Sequence, residues 1–99
     1  MIRHVVAFTL AADDQAQKRD DALAIKQRLE ALAPVVPGVR SLEVGFDLGR
    51  VGGHWDVVLV SEHDSVAALE AYQVHPEHVA AAAFISSVVT ARACVDYEV

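Results

Sequence analysis

The chain has 99 residues, a formal net charge of −6 and an apolar fraction of 54%. That length sets one domain over residues 1–99, with a core too thin to be divided in two. Its eight basic residues are scattered from Arg3 to Arg92 without forming a stripe, so no nucleic acid and no anionic membrane surface is expected as a partner.

Residues 2–10 are rich in β-branched and aromatic side chains, with Ile2, His4, Val6, Phe8 and Leu10 on one face of a predicted strand. Asp13 and Asp14 then offer capping oxygens and favourable charge at a helix start. From there Ala22, Ile25, Leu29, Leu32 and Val36 recur at helical spacing, which predicts an amphipathic helix of about five turns. Pro34 and the pair Pro37-Gly38 stop it.

Alternation returns over residues 39–48, where Leu42, Val44, Phe46 and Leu48 share a face. The Gly-rich segment 49–53 turns the chain into a third strand over 54–62, forming a hairpin. Asp64 and Ser65 start a second helix whose inner face carries Val66, Leu69 and Tyr72. His75-Pro76 interrupts it, because proline disfavours helical geometry in the residue before it yet suits the first position of a new helix. That new helix runs through the Ala80–Ala83 stretch, read as a close-packing surface, to about Val89. Residues 91–98 form a fourth strand with Ala93, Val95, Tyr97 and Val99 on one side.

The order strand, helix, strand, strand, helix, strand predicts an α+β fold of ferredoxin-like βαββαβ layout. It has a four-stranded antiparallel sheet with helices on one face. A sheet covered on one side should alternate apolar inward with polar outward. Here Val58 and Val60 oppose Trp55, Val57 and Leu59 on the third strand, and Val5 and Ala7 oppose the main apolar row of the first. The uncovered face therefore needs a cover of its own, and a two-fold mate is the common solution, giving a homodimeric α/β barrel.

The most specific stretch is Tyr72-Gln73-Val74-His75-Pro76-Glu77-His78-Val79. Together with Ile2-Arg3-His4-Val5-Val6, Pro37-Gly38-Val39 and Val95-Asp96-Tyr97, it closely resembles the stress-responsive A/B barrel domain (Dabb) family over nearly the whole chain. The resemblance implies the ferredoxin-like fold and a face-to-face homodimer. It also implies a mostly unassigned function, since many members are known only as stress-linked proteins. A few plant members are polyketide cyclases that close an aromatic ring by intramolecular aldol condensation without metal or organic cofactor. In those, the motif's tyrosine and second histidine form the catalytic pair, which by match are Tyr72 and His78. The early-strand histidine corresponds to His4.

Such chemistry needs a base beside a carbonyl and a donor for the developing oxyanion. A histidine has the pKa for the first task and a tyrosine hydroxyl the geometry for the second. Ala82, Ile85 and Val89 follow His78 at i+4, i+7 and i+11, which puts His78 on the inward side of its helix. The same pair could equally satisfy its own polar groups at a helix break. His4 is either a pocket residue or a hydrogen-bonded core histidine. His75 is expected to cap the following helix rather than act as a base. With His4, Val6, Phe8, Leu59 and Ile85 it makes up the set expected around a small apolar or carbonyl-bearing ligand.

This chain departs from the cyclases in one respect. They line the pocket with aromatic residues on the first helix, whereas no aromatic lies here between Phe8 and Phe46. The leading reading is thus a ligand-binding dimer of undefined role, with a cofactor-free cyclase or lyase as the alternative. A third, a monooxygenase or haem-degrading barrel, has only the fold behind it.

No cofactor is expected, and no metal, because no cysteine or carboxylate cluster joins His75 and His78. Cys94 lacks an adjacent base and reads as a packing residue, and Asp96 as a solvated one. A single cysteine cannot form an internal disulfide. The chain opens directly on a strand, and no apolar run reaches the roughly 18 residues of a membrane span, so the expected location is the cytoplasm.

Overall fold

A computed structural model describes all 99 residues. The elements are β1 (Ile2–Leu10), α1 (Gln15–Glu30), β2 (Val39–Phe46), β3 (Val57–His63), α2 (Val66–Val74), α3 (Pro76–Val88) and β4 (Val89–Glu98). The strands form one antiparallel sheet in the order β2-β3-β1-β4. This is the expected ferredoxin-like arrangement, with the second helical segment broken in two at His75-Pro76. None of the helices is long and apolar enough to cross a membrane.

Local chemistry sets each helix boundary. The Asp14 carboxylate accepts the Gln17 N–H at 2.9 Å and starts α1. The Ser65 hydroxyl accepts the Ala68 N–H at 3.1 Å and starts α2. At the break, His75 is extended (ψ 135°) and its ring Nδ1 accepts the Glu77 N–H, so it caps α3 with Pro76 in the first turn. The expected five-turn first helix is shorter: α1 ends at Glu30 and residues 31–36 continue as turns. Pro34 is the cause, since a proline four residues on removes a helical N–H and crowds the preceding turn. Leu32 and Val36 still reach the core from those turns.

Gly38 closes this connection with φ +85°, and a Cβ there would sit 2.9 Å from the Ala68 Cβ on α2. Only glycine fits both the conformation and the approach.

The core lies between the helices and one face of the sheet. On β1 the expected alternation holds, with His4, Val6, Phe8 and Leu10 buried. On β3 the buried row is Val57, Leu59, Ser61 and His63. From the helices come Ala22, Ile25 and Leu29, then Leu69 and Tyr72, then Ala81 and Ile85. Each large side chain buried this way contributes about 1.5–3 kcal/mol. Two inward assignments are corrected. Val66 is exposed in the first turn of α2, and Trp55 is exposed in the irregular segment before β3.

The opposite face carries an apolar centre as well, with Arg3, Glu62, Ser41 and Glu43 at one end of it. Strand pairing aligns Val5 with Val60 and Val95, and Ala7 with Val58 and Ala93. Val95 and Tyr97 stand 62% and 43% exposed on the β4 side of this face.

Candidate functional site

A cavity of about 300 Å³ lies between the sheet and the helices. Its walls include His4, Val6 and Phe8 from β1, Leu59 from β3, and His78 and Ile85 from α3. Leu29, Gln73, Ala82, Ser86, Val89 and Arg92 complete the lining. The spacing argument for His78 therefore holds, because Ala82, Ile85 and Val89 meet the same space. His75 does not line it; the ring is engaged in capping α3, and its grouping with the ligand-facing residues is corrected.

Tyr72 sits just behind the wall. It is wholly buried, its ring lies 4.5 Å from that of His78 between centroids, and its hydroxyl has no hydrogen-bond partner. The pair expected from the motif is thus brought into ring contact but not joined by a hydrogen bond. Burial pushes the Tyr72 phenol up to about 12. His78 Nδ1 lies 3.0 Å from the Gln73 carbonyl oxygen, to which it donates. That bond fixes the neutral tautomer and leaves Nε2 with a free lone pair. Burial lowers the His78 pKa, favouring the same neutral form.

His63 was missed by the sequence reading, which ended the third strand one residue short of it. The ring is fully buried between Tyr72, at 4.8 Å, and His4, at 6.2 Å between centroids. Its Nε2 pairs with the Ser61 hydroxyl at 2.8 Å, while Nδ1 has no partner. Burial lowers its pKa. The available signal was period two on β3, since Leu59, Ser61 and His63 share one face.

Asp96 is a second omission. Its carboxylate lies 2.5 Å from His4 Nδ1, and the Cys94 sulfur lies 3.5 Å from the same nitrogen. Cys94 Sγ also approaches Asp96 Oδ1 at 3.6 Å. The pairing of β4 with β1 places Asp96 beside His4 and Cys94 beside Val6, all on the helix-covered face. Two expectations are overturned: Asp96 is engaged rather than merely solvated, and Cys94 does have a base beside it. A His/Cys/Asp cluster exists as well, built on His4 rather than on the motif histidines. His4 resolves as both of its alternatives, a hydrogen-bonded core histidine and a cavity residue.

The family model for the stress responsive A/B barrel domain matches residues 2–99. The chain belongs to this family. A dimeric protein of unknown function with a ferredoxin-like fold from Bacteroides fragilis is 35% identical to this Dabb chain. It matches with a TM-score of 0.90, covering 99% of this chain and 95% of that one. A Dabb family protein from Mesorhizobium loti is 23% identical (TM-score 0.74; 98% and 94% covered). A hydroxynitrile lyase from Passiflora edulis is 18% identical (TM-score 0.75; 97% and 90% covered). The last two likenesses are of fold alone. No curated protein matches the sequence.

Proposed function

We propose that two copies of this Dabb chain pack their outer sheet faces together, and that each holds a small apolar, carbonyl-bearing ligand in its inner cavity. The cavity carries the reading. It is about 300 Å³, at the lower end of ordinary ligand sites, with aliphatic walls and a few converging polar groups, which is the usual make-up of such a site. Two buried polar atoms beside it, Tyr72 Oη and His63 Nδ1, lack partners in the protein. Buried polar groups are normally satisfied; neither residue lines the cavity, so a bridging water suits these atoms, or a ligand oxygen after a small shift of the wall. The similarity to a dimeric Bacteroides protein supports the pairing, as does the apolar outer face. A reducing compartment such as the cytoplasm keeps Cys94 as a thiol.

A thermal-shift screen of small aliphatic and aromatic ketones, aldehydes and carboxylic acids tests the proposal. A hit that raises the melting temperature of the parent, and is lost on filling the cavity with Ala82→Phe, supports it. A screen without hits, together with a crystal structure showing a solidly packed interior, removes it.

A second reading, cofactor-free aldol or lyase chemistry, is favoured by the state of His78. With Nδ1 donating to Gln73, the neutral ring keeps Nε2 as an acceptor, and the ring itself lines the cavity, which suits a general base. Tyr72, behind that wall, would position the ring and donate to an oxyanion only after a small shift. Turnover of a carbonyl hit that His78→Ala abolishes, with the melting temperature nearly unchanged, would establish it. A parent protein that binds the hit without turning it over leaves the binding reading alone.

A further inference from the structure

His4, Cys94 and Asp96 offer an imidazole nitrogen, a sulfur and a carboxylate oxygen, all within 4.8 Å of one another. Each comes from a strand rather than a loop. β1 supplies the buried histidine, and β4, hydrogen-bonded alongside it, supplies the other two at alternate positions. Strand-borne ligands are held at a spacing set by the ladder, which is the condition for a site formed before its ion arrives.

The distances fit a particular coordination. With zinc bond lengths of about 2.0–2.1 Å to nitrogen, 2.3 Å to sulfur and 2.0–2.2 Å to oxygen, a tetrahedral centre requires N···S and S···O edges of roughly 3.5 Å and an N···O edge of roughly 3.3 Å. The observed N···S and S···O separations are 3.5 and 3.6 Å. Only the N···O separation, 2.5 Å, is short of the requirement. It is the edge that can open, because the Asp96 side chain is 41% exposed and free to swing, whereas His4 is 3% exposed and fixed.

We propose that His4 Nδ1, Cys94 Sγ and Asp96 Oδ1 form a three-ligand transition-metal site that takes zinc or a metal of similar preference. A thiolate beside an imidazole selects against magnesium and calcium, which demand oxygen ligands. Three protein ligands leave the fourth position open, as in sites where a zinc ion holds a water or a substrate oxygen. Of the three, only His4 lines the cavity, and Cys94 and Asp96 are exposed at the β4 edge, so the open position is within reach of solvent. On binding, the thiol proton leaves to solvent. The proton between His4 Nδ1 and Asp96 is released too, to Nε2 of the same ring or, where Nε2 already carries one, to solvent, so that a neutral imidazole offers its Nδ1 lone pair to the metal.

The test uses the full-length protein stripped with chelator and titrated with Co²⁺, a coloured stand-in for zinc. One equivalent per subunit should produce a near-ultraviolet thiolate-to-cobalt charge-transfer band and the visible bands of four-coordinate cobalt, and added Zn²⁺ should bleach both. Cys94→Ser, at an exposed position, should keep the native circular dichroism, lose the charge-transfer band and bind at least about ten-fold more weakly. Asp96→Asn should keep the band and also lose about ten-fold in affinity. His54→Gln, in the surface pair with Asp47, should change nothing. Absence of the charge-transfer band in the parent overturns the proposal, as does its persistence in Cys94→Ser or equal weakening by His54→Gln. No organic ligand enters this titration, so its failure leaves the cavity reading standing.

Discussion

The two faces of the sheet depart from simple patterning in opposite directions. The helix-covered face buries polar groups among its aliphatic neighbours: His4, Ser61 and His63 lie beside Val6 and Leu59. The bare face presents Val5, Val58, Val60 and Val95, where solvent should favour polar residues. A sheet built only for stability would reverse both choices. Polar residues inside a covered core are expensive unless hydrogen-bonded, and His63 keeps one ring nitrogen without a partner. Apolar residues on an open face are a liability unless something covers them. The first departure is what the proposed ligand site would require, and the second what the proposed interface would.

Neighbouring residues on β3 give the sharpest way to break this comparison. Leu59→Ala, on the inner face, should cost about 2–5 kcal/mol in urea unfolding, as deletion of a buried leucine does. Val58→Asp, one residue away on the outer face, should act on association instead. Sedimentation should show single subunits at concentrations where the parent is dimeric, with far-ultraviolet circular dichroism retained. A Leu59→Ala protein within about 0.5 kcal/mol of the parent would place the core elsewhere. A Val58→Asp protein that stays dimeric would remove the outer face as the interface.

Acid should find the inner face first. Burial depresses the pKa values of His63 and His78 from the ordinary 6.5. The unfolded chain therefore binds protons at these positions before the native protein does. Their contribution is complete above about pH 6.5 and is lost as the pH falls below it towards the native values. Melting temperatures measured downward from pH 7 should decline, and the decline should be shallower in His63→Gln. An unchanged slope in that variant would mean that His63 is not held neutral by its burial.

A smaller effect, of opposite sign, is expected at Tyr72. Its hydroxyl is buried without a partner, and an unsatisfied buried group carries a penalty of about 1–3 kcal/mol. Tyr72→Phe should leave the unliganded protein as stable or up to about 1 kcal/mol more stable, while weakening any ligand that bonds the hydroxyl. Clear destabilisation would mean that the hydroxyl is satisfied in solution.

These residues also show how far the sequence could be read. Alternation on β1 placed His4, Val6, Phe8 and Leu10 correctly, and helical spacing placed His78 with Ile85, because both periods depend on local geometry alone. The pairing of His4 with Asp96 was not legible in the same way. Alternation on β4 separates Ala93, Val95 and Tyr97 from Cys94 and Asp96, but it does not say which set faces the helices. On a strand whose outer face is greasy, the usual inference from apolar to inward picks the wrong side. Residues 4 and 96 meet only through the register of β1 with β4, which no local pattern encodes. Likewise the helix predicted to Val36 was cut short by Pro34, while its apolar spacing persisted through the turns that followed.

The faintest of the expected effects sharpens the outer face best. Arg3 and Glu62 form an ion pair there at 2.8 Å, and Tyr97 accepts a further hydrogen bond from the same guanidinium. In a lone subunit this pair lies in water, where such contacts couple weakly and are screened by salt. Beneath a twin subunit the same charges lose their solvent, so removing one leaves the other buried without compensation. A double-mutant cycle of Arg3→Met and Glu62→Gln, run in the parent and again in the Val58→Asp background, separates the two situations. Coupling should be barely measurable and salt-sensitive in the single subunit, and larger and salt-resistant in the parent. Equal coupling in both backgrounds would mean that the pair stays wet, and that the dimer interface begins further along the sheet, towards Ala7 and Val58.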